Sequence, residues 1–332
     1  MSKILVILGS TSTGKTDLAL NLAKRFNGEL VACDSRQVYR GLDIATGKLP
    51  GKEVTVKKEK WFWELDGIKI WMYDVVDPKK QYTVYDYVKD AGRVIDNVWE
   101  RGKLPIIVGG TGFYLKAVLE GLPNLAIPVD KDLRKKLEKF SKEQLQKKLQ
   151  QISPDKWESL NTSDRQNPRR LIRAIELSIS SLRGAKRRSN LHRIGKIATL
   201  PLVARDDMLK IGLTAPREIL YQRIDERVVR RIDQGMIDEA RRLQKDGLSL
   251  KRMKQLGLEY GVLADYLKGK ITSAQELIKL LEGKIHGYAR RQLTWFKKEK
   301  DVSWFNIIDK HFPNGVEKIV SKWYYYSDAA KS

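Results

Sequence analysis

Gly9-Ser10-Thr11-Ser12-Thr13-Gly14-Lys15-Thr16 is the stretch that decides the fold. It fits G-x-x-x-x-G-K-[ST] at every defined position. An apolar run, Ile4–Leu8, precedes it, and Thr16–Phe26 follows with Leu18, Ala19, Leu22, Ala23 and Phe26 at helical spacing. Strand, glycine-rich loop and helix in that order are what a phosphate-binding P-loop requires. The glycines let backbone N–H groups turn inward around phosphate oxygens, and the helix N-terminus adds partial positive charge. Lys15 supplies a full charge, and Thr16 is placed to hold Mg2+. Gly9 to Thr16 are therefore read together as a diphosphate- or nucleotide-binding segment.

Outward from the loop, strand and helix signals alternate. Leu30–Cys33 reads as a second strand ending in Asp34. Tyr85–Arg101 reads as a helix with Tyr87, Ala91, Val94, Ile95 and Val98 on one face. Leu104–Val108 reads as a third strand, followed by Gly109-Gly110-Thr111-Gly112. This rhythm implies a parallel sheet with helices on its faces. Ligands in such sheets bind at the carboxyl ends of the strands, so the P-loop, Asp34 and Thr111 should converge. A kinase or NTPase would place a carboxylate at the end of a later strand to organise Mg2+, yet Leu104–Val108 ends in glycines. Asp34 is the available acid, either a general base beside the phosphates or the cap of a turn.

Residues 128–183 read as charged helices without a strand signal, and 183–205 hold seven lysines and arginines and no acid. The core pattern resumes at Met208–Leu213, continues in one long helix from Glu218 to Lys245, and ends with a strand at Val302–Ile308. The expected fold class is α/β: a P-loop parallel sheet core flanked by helices (1–121 plus 206–332) with an all-helical insertion domain (122–205).

The 332 residues carry 64 Lys+Arg against 41 Asp+Glu, a net charge of +23. Such an excess points to a polyanionic partner or to a generally basic proteome. Nucleic acid fits better than a membrane surface, because no lipidation motif or terminal amphipathic anchor stands out. No apolar run approaches the ~20 residues a membrane-spanning helix needs, and the N-terminal strand lacks a signal-peptide cleavage site. One cysteine, Cys33, allows no internal disulfide, and His192, His286 and His311 are too dispersed to suggest a metal cluster. A soluble, cytoplasmic, monomeric protein is expected.

Gly9–Thr16, Asp34–Arg40, Gly41–Thr46 and Gly109–Tyr114 together resemble the core motifs of the tRNA dimethylallyltransferases, also called tRNA isopentenyltransferases, in their bacterial form. The likeness continues in order through Asn167–Glu176, Gln222–Arg227 and Tyr288–Phe296. It implies transfer of a dimethylallyl group from dimethylallyl diphosphate to the exocyclic amino group of the adenosine 3′ of the anticodon, in tRNAs reading codons that start with U. Pyrophosphate leaves, so a P-loop without a partner acid makes sense: it stabilises charge on the departing group, assisted by Mg2+. The resemblance also implies roles for individual residues. Asp34 matches the general base. Lys15, Thr16 and the loop amides match the diphosphate binders, with Arg223 or, more in keeping with the motif, Arg227 reaching the pyrophosphate; the bland alternative for this pair is a solvated helix face. Thr111 lines the channel. Ser35, Arg36 and Gln37 hold the target base, Gln37 reading an adenine edge. Arg134, Arg169, Arg170, Leu171, Ile172 and Arg173 match the tRNA-binding positions, whose arginines could equally be a solvated charged helix. Arg290–Lys298 mixes cations with aromatics, and Trp295 and Phe296 are candidates for base stacking or for core packing.

Ser10 and Ser12 stand where the family usually has Pro and Ala, and Leu258 where a tyrosine usually follows the glycine of Lys254–Tyr260. Competing readings are an adenylate (AMP/ADP/ATP) isopentenyltransferase, a P-loop small-metabolite kinase, and an RNA-binding module. A mononucleotide acceptor needs no helical clamp, a kinase lacks its acid here, and a binding module has no use for Gly9–Thr16.

Overall fold

The structure is a computed structural model describing residues 3–49, 54–122, 124, 125, 127, 129–185 and 207–326. The chain forms two compact units, Met1–Leu119 with Leu202–Ser332, and Glu120–Pro201. Most of the acid-free stretch 183–205, and the expected boundary at 205/206, lie outside the described residues.

The first unit is built on one sheet. In chain order its elements are β1 (Ile4–Gly9), α1 (Lys15–Arg25), β2 (Gly28–Ala32), β3 (Val56–Glu59), β4 (Phe62–Leu65), β5 (Ile68–Trp71), α2 (Val84–Glu100), β6 (Leu104–Gly109) and α3 (Gly112–Glu120), the last running into the second unit. The second unit holds α4 (Lys131–Leu137), α5 (Lys142–Ile152), α6 (Pro154–Glu158), α7 (Thr162–Arg165) and α8 (Pro168–Ala185). The first unit resumes with β7 (Met208–Thr214), α9 (Arg217–Asp233), α10 (Met236–Lys245), α11 (Leu250–Leu256), α12 (Leu258–Leu267), α13 (Ala274–Phe296), β8 (Val302–Asn306) and α14 (Phe312–Tyr326).

Strand order is β3-β4-β5-β2-β6-β1-β7-β8. From β5 to β8 every pairing is parallel. Every residue of β1 and β2 is buried, as expected of strands covered on both faces, and β1 and β6 are the uninterrupted apolar runs that such strands show. β2, β6 and β1 are neighbours in the sheet, so their carboxyl ends, carrying Asp34, Gly109–Gly112 and the P-loop, open on one crevice.

Two features depart from the sequence reading. β3 and β4 extend the parallel sheet with antiparallel pairings that no sequence signal announced. Their buried residues are Trp63 and Leu65, with Val56 partly buried against the core, in a stretch otherwise rich in lysine and glutamate, and the hairpin turns at Trp61 with φ 84° rather than at a glycine. The single long helix expected from Glu218 to Lys245 is two helices, α9 and α10, separated at Gly235 with φ 93°. Leu220, Ile224 and Val228 before the break and Met236, Ala240 and Leu243 after it are all buried. The apolar stripe continues across the bend, so periodicity alone hides it.

The helical unit has its own core of Leu137, Leu145, Leu149, Leu171, Ile172, Ala174 and Ile175. Asp130 caps α4, and Ser141 with Gln144 forms a capping box on α5. No helix among the described residues is long and apolar enough to cross a membrane.

Candidate active site

The P-loop geometry follows from its glycines. Gly9 has φ 144°, and a Cβ there would stand 2.4 Å from the carbonyl oxygen of Leu213, so only glycine lets β1 turn against β7. Gly14 begins α1 in the left-handed region, φ 78°, with no side chain capping the helix. The first-turn amides of α1 are thus left to face an anion. Lys15 folds back so that Nζ donates to the Ser10 carbonyl, which also accepts from Thr13 Oγ1 at 2.9 Å. Burial, and then the neighbouring Arg227 charge, push the Lys15 amine down to about 7, with Asp34 opposing.

The cleft at the strand ends measures about 460 Å³. Its walls bring together Thr11, Ser12, Gly14, Lys15, Thr16, Asp34, Arg36, Gln37, Gly109, Gly110, Arg223 and Arg227. Asp34 Oδ1 accepts from the backbone N–H of Arg36 (2.8 Å) and of Gln37 (3.3 Å). Asp34 therefore does cap a turn, with one oxygen; among the described residues no side chain donates to the other. The turn-cap reading of this residue therefore holds. Thr111 ties the same turn to β6: its Oγ1 accepts from Ser35 N–H at 3.2 Å.

α9 supplies the cations. Arg227 Nη1 donates to Thr11 Oγ1 at 3.0 Å and to Ser12 Oγ at 3.5 Å. Arg223, exposed, reaches the Ser12 carbonyl at 3.5 Å. Burial first, against the partial compensation of Glu259 and Asp34, lowers the Arg227 pKa. Arg227 is therefore not on a solvated helix face: it lies against the P-loop, with the exposed Arg223 one turn away at its edge.

Gln292 was not singled out from the sequence, yet it joins two walls. Its Oε1 accepts from Thr11 N–H (2.9 Å) and its Nε2 donates to the Gly110 carbonyl (2.8 Å). The signal was present: along α13 the buried positions are Leu277, Leu281, Ile285, Ala289, Gln292 and Phe296, one polar residue in an apolar row. The glycines after β6 are required by close approach. A Cβ would stand 2.2 Å from Cys33 O at Gly109, from Gln292 Nε2 at Gly110 and from Trp295 Cδ1 at Gly112. Phe296 is core, 1% exposed, whereas Trp295 is 38% exposed over Gly112 and edge-on to Phe113. Cys33 is sealed beneath the site, its thiol pushed up to about 12 by burial.

Comparison with known proteins fits this geometry. The IPP transferase family model matches residues 37–299, and the Isopentenyl transferase model matches 2–67. The chain belongs to the IPP transferase family. It is 35% identical over 330 residues to the tRNA dimethylallyltransferase of Acetivibrio thermocellus, covering 98% of this chain and 97% of that one. It is 36% identical to that of Halalkalibacterium halodurans, covering 96% and 95%. The crystal structure of the full-length tRNA isopentenylpyrophosphate transferase from Bacillus halodurans superposes with TM-score 0.68 at 32% identity, over 100% of this chain and 99% of that one. As a member of the IPP transferase family, the protein is a prenyltransferase with a P-loop fold.

In this IPP transferase several residues expected to touch RNA have structural duties. Leu171, 0% exposed, and Ile172, 8% exposed, lie in the core of the helical unit, so their side chains are not on an RNA-facing surface. Arg134 Nε and Nη2 donate to Glu176 at 3.1 and 2.8 Å, and Arg173 Nη1 donates to it at 2.6 Å. Glu176 is fully buried and its pKa is lowered: burial itself opposes this, and the two guanidiniums override it. Arg173 Nη2 also holds the carbonyls of Asn124 and Ile127. These two arginines thus brace α8 against α4 and the preceding loop. Arg170 pairs with Asp164. Arg169 is exposed, with no ion pair among the described residues. Gln37 does not present a free amide: its Nε2 donates to the carbonyls of Thr46 (3.3 Å) and Gly47 (3.2 Å). Only its oxygen is left to read a base. Arg36 Nε donates to the Leu256 carbonyl at 3.1 Å, which ties the Asp34 turn to the segment where Leu258 replaces the family's tyrosine.

Proposed function

We propose that the protein transfers the dimethylallyl group of dimethylallyl diphosphate to the exocyclic amino nitrogen of the adenosine 3′-adjacent to the anticodon, in tRNAs that read codons starting with U. The observation that carries this reading is Asp34, with one carboxylate oxygen unspent, in the same cleft as Lys15, Arg227 and the P-loop amides. The carbon–oxygen bond to the diphosphate breaks as the carbon–nitrogen bond forms. The amino proton passes to Asp34, and Lys15, Arg227 and the loop amides take the charge developing on pyrophosphate. Thr16, half-buried at the cleft, would be the protein's ligand for Mg2+, an ion usually held through one or two protein oxygens and substrate phosphates. A hydroxyl beside phosphate oxygens suits that ion, and no cluster of three or more His, Cys, Asp or Glu that could hold a metal by itself occurs among the described residues. When bound, Mg2+ neutralises charge on the pyrophosphate oxygens.

An adenine stacked in the anticodon loop must swing out to meet Asp34, which in a single-stranded loop costs on the order of a few kcal/mol. Thr111 and the turn Ser35–Gln37 receive the base, and Arg169 with the partly exposed Arg134, Arg170 and Arg173 takes RNA phosphates. The protein works as a cytoplasmic monomer. The deciding assay incubates labelled dimethylallyl diphosphate with unmodified tRNA and with AMP. Label on tRNA alone is expected; label on AMP alone would assign the Isopentenyl transferase match at 2–67 to an adenylate acceptor, and ATP hydrolysis without transfer would overturn the reading.

A further inference from the structure

Arg223, Arg227 and Arg231 lie four residues apart on α9, so they form one row on one face of the helix. The row runs from surface to interior: Arg223 is exposed, Arg227 half-buried, and Arg231 only 6% exposed. Arg231 lines the cleft, yet neither the loop motif nor the family resemblance singled it out. Its Nη1 donates to the Ala45 carbonyl at 2.8 Å and stands 3.6 Å from Glu259 Oε1. Its Nη2 is buried and meets no acceptor among the described residues. A buried N–H left unpaired costs free energy, more so on a charged group. Such an atom at the wall of a cleft is waiting for an acceptor that the protein does not supply.

The backbone opposite shows where that acceptor belongs. A Cβ on Gly47 would stand 1.9 Å from Arg231 Nη2 and 2.7 Å from Arg227 Nη2. Both guanidiniums therefore crowd the same side of Gly47, and the glycine is what admits them. Two like charges brought to one place repel, and the carboxylates that act on them, Glu259 on both, Asp34 on Arg227 and Glu239 on Arg231, offset this and the burial only in part. A multiply charged oxyanion would relieve both the repulsion and the unpaired donor.

We propose that Arg231 is a second guanidinium contact to the pyrophosphate, sharing its oxygens with Arg227. This rests on the reading of the cleft as a diphosphate site. It makes Arg231 a residue that holds the leaving group, with a planar fork suited to paired phosphate oxygens. Burial, and next the Arg227 charge, lower its pKa to about 9, which leaves it protonated at neutral pH and available to an anion.

The test uses the full-length protein and inorganic pyrophosphate with Mg2+, by isothermal titration calorimetry, with thermal melts of the ligand-free protein alongside. R231M is expected to weaken pyrophosphate binding roughly tenfold to a hundredfold, the loss that follows removal of one charge-assisted contact, without lowering the melting temperature. R231K keeps the charge without the fork and should weaken it several-fold; it serves as the measurement if R231M does not fold. E259Q removes the competing carboxylate and should tighten binding. Wild-type affinity in both Arg231 variants, or R231M melting lower while binding pyrophosphate as wild type does, would make the residue a structural plug and overturn the proposal. Wild type that takes up no pyrophosphate at all would overturn the diphosphate reading beneath it.

Discussion

Burial, and next the Arg227 charge, hold the Lys15 pKa near 7 against the opposing pull of Asp34. At neutral pH about half of the molecules carry a neutral amine there. Bound pyrophosphate favours the ammonium form, so binding should take up a proton, and calorimetry in buffers of different ionisation enthalpy at pH 7.5 should register a fraction of a proton absorbed. The sign for stability is the reverse of a salt-bridged lysine. Between about pH 7 and the ordinary lysine value the unfolded chain binds more protons, so the Lys15 contribution improves as pH rises through that window. Lys15→Met should flatten that slope and raise the melting temperature of the ligand-free protein at pH 7, while abolishing pyrophosphate binding. Asp34 has two jobs, and Asp34→Asn separates them. The amide oxygen still accepts from the Arg36 and Gln37 N–H groups, so the turn survives while the base is lost. A fall in kcat of roughly 10²- to 10⁴-fold with tRNA affinity nearly unchanged is expected; equal loss of both in single-turnover and filter-binding measurements would reduce Asp34 to a turn cap.

Elements decide which of these residues meet. β1 and β6 were legible in the sequence because interior parallel strands are unbroken apolar runs, and β2 was legible through Leu30–Ala32, though not through the buried Glu29 before them. The convergence of Gly9–Thr16, Asp34 and Thr111 was legible with them. The hairpin β3–β4 was not, since its pairing depends on two buried side chains in a lysine-rich stretch. The break at Gly235 was hidden by the continuous apolar stripe on α9 and α10. Gln292 and Arg231 were missed for a related reason: their importance lies in what faces them across the fold, a carbonyl of Gly110 and the bare backbone of Gly47. In the helical unit the motif Asn167–Glu176 was legible as a helix, but the target of Arg134 and Arg173 was not. Glu176 is the buried acceptor for both. Glu176→Ala should therefore destabilise that unit by roughly 2–4 kcal/mol, because two guanidiniums lose their partner. Hydrogen exchange across 130–180 should accelerate while the P-loop amides stay as protected as in wild type.

At the scale of the molecule, the excess of 64 basic over 41 acidic side chains sets the terms on which RNA arrives. Affinity for tRNA should fall steeply and linearly on a plot of log K against log salt, with a slope of several phosphate contacts. Pyrophosphate, held by an enclosed few, should lose much less over the same range; parallel slopes for both ligands in filter binding and calorimetry would show that the basic surface plays no part in RNA capture. The same molecule offers a practical handle through Cys33, its one thiol, buried under the active site and kept protonated. A maleimide dye finds no reactive sulfur in the native protein. A cysteine placed at the exposed Ser163, in α7 beside the arginine-rich helix, would be the only one labelled, and its fluorescence would follow each tRNA onto and off the enzyme one molecule at a time.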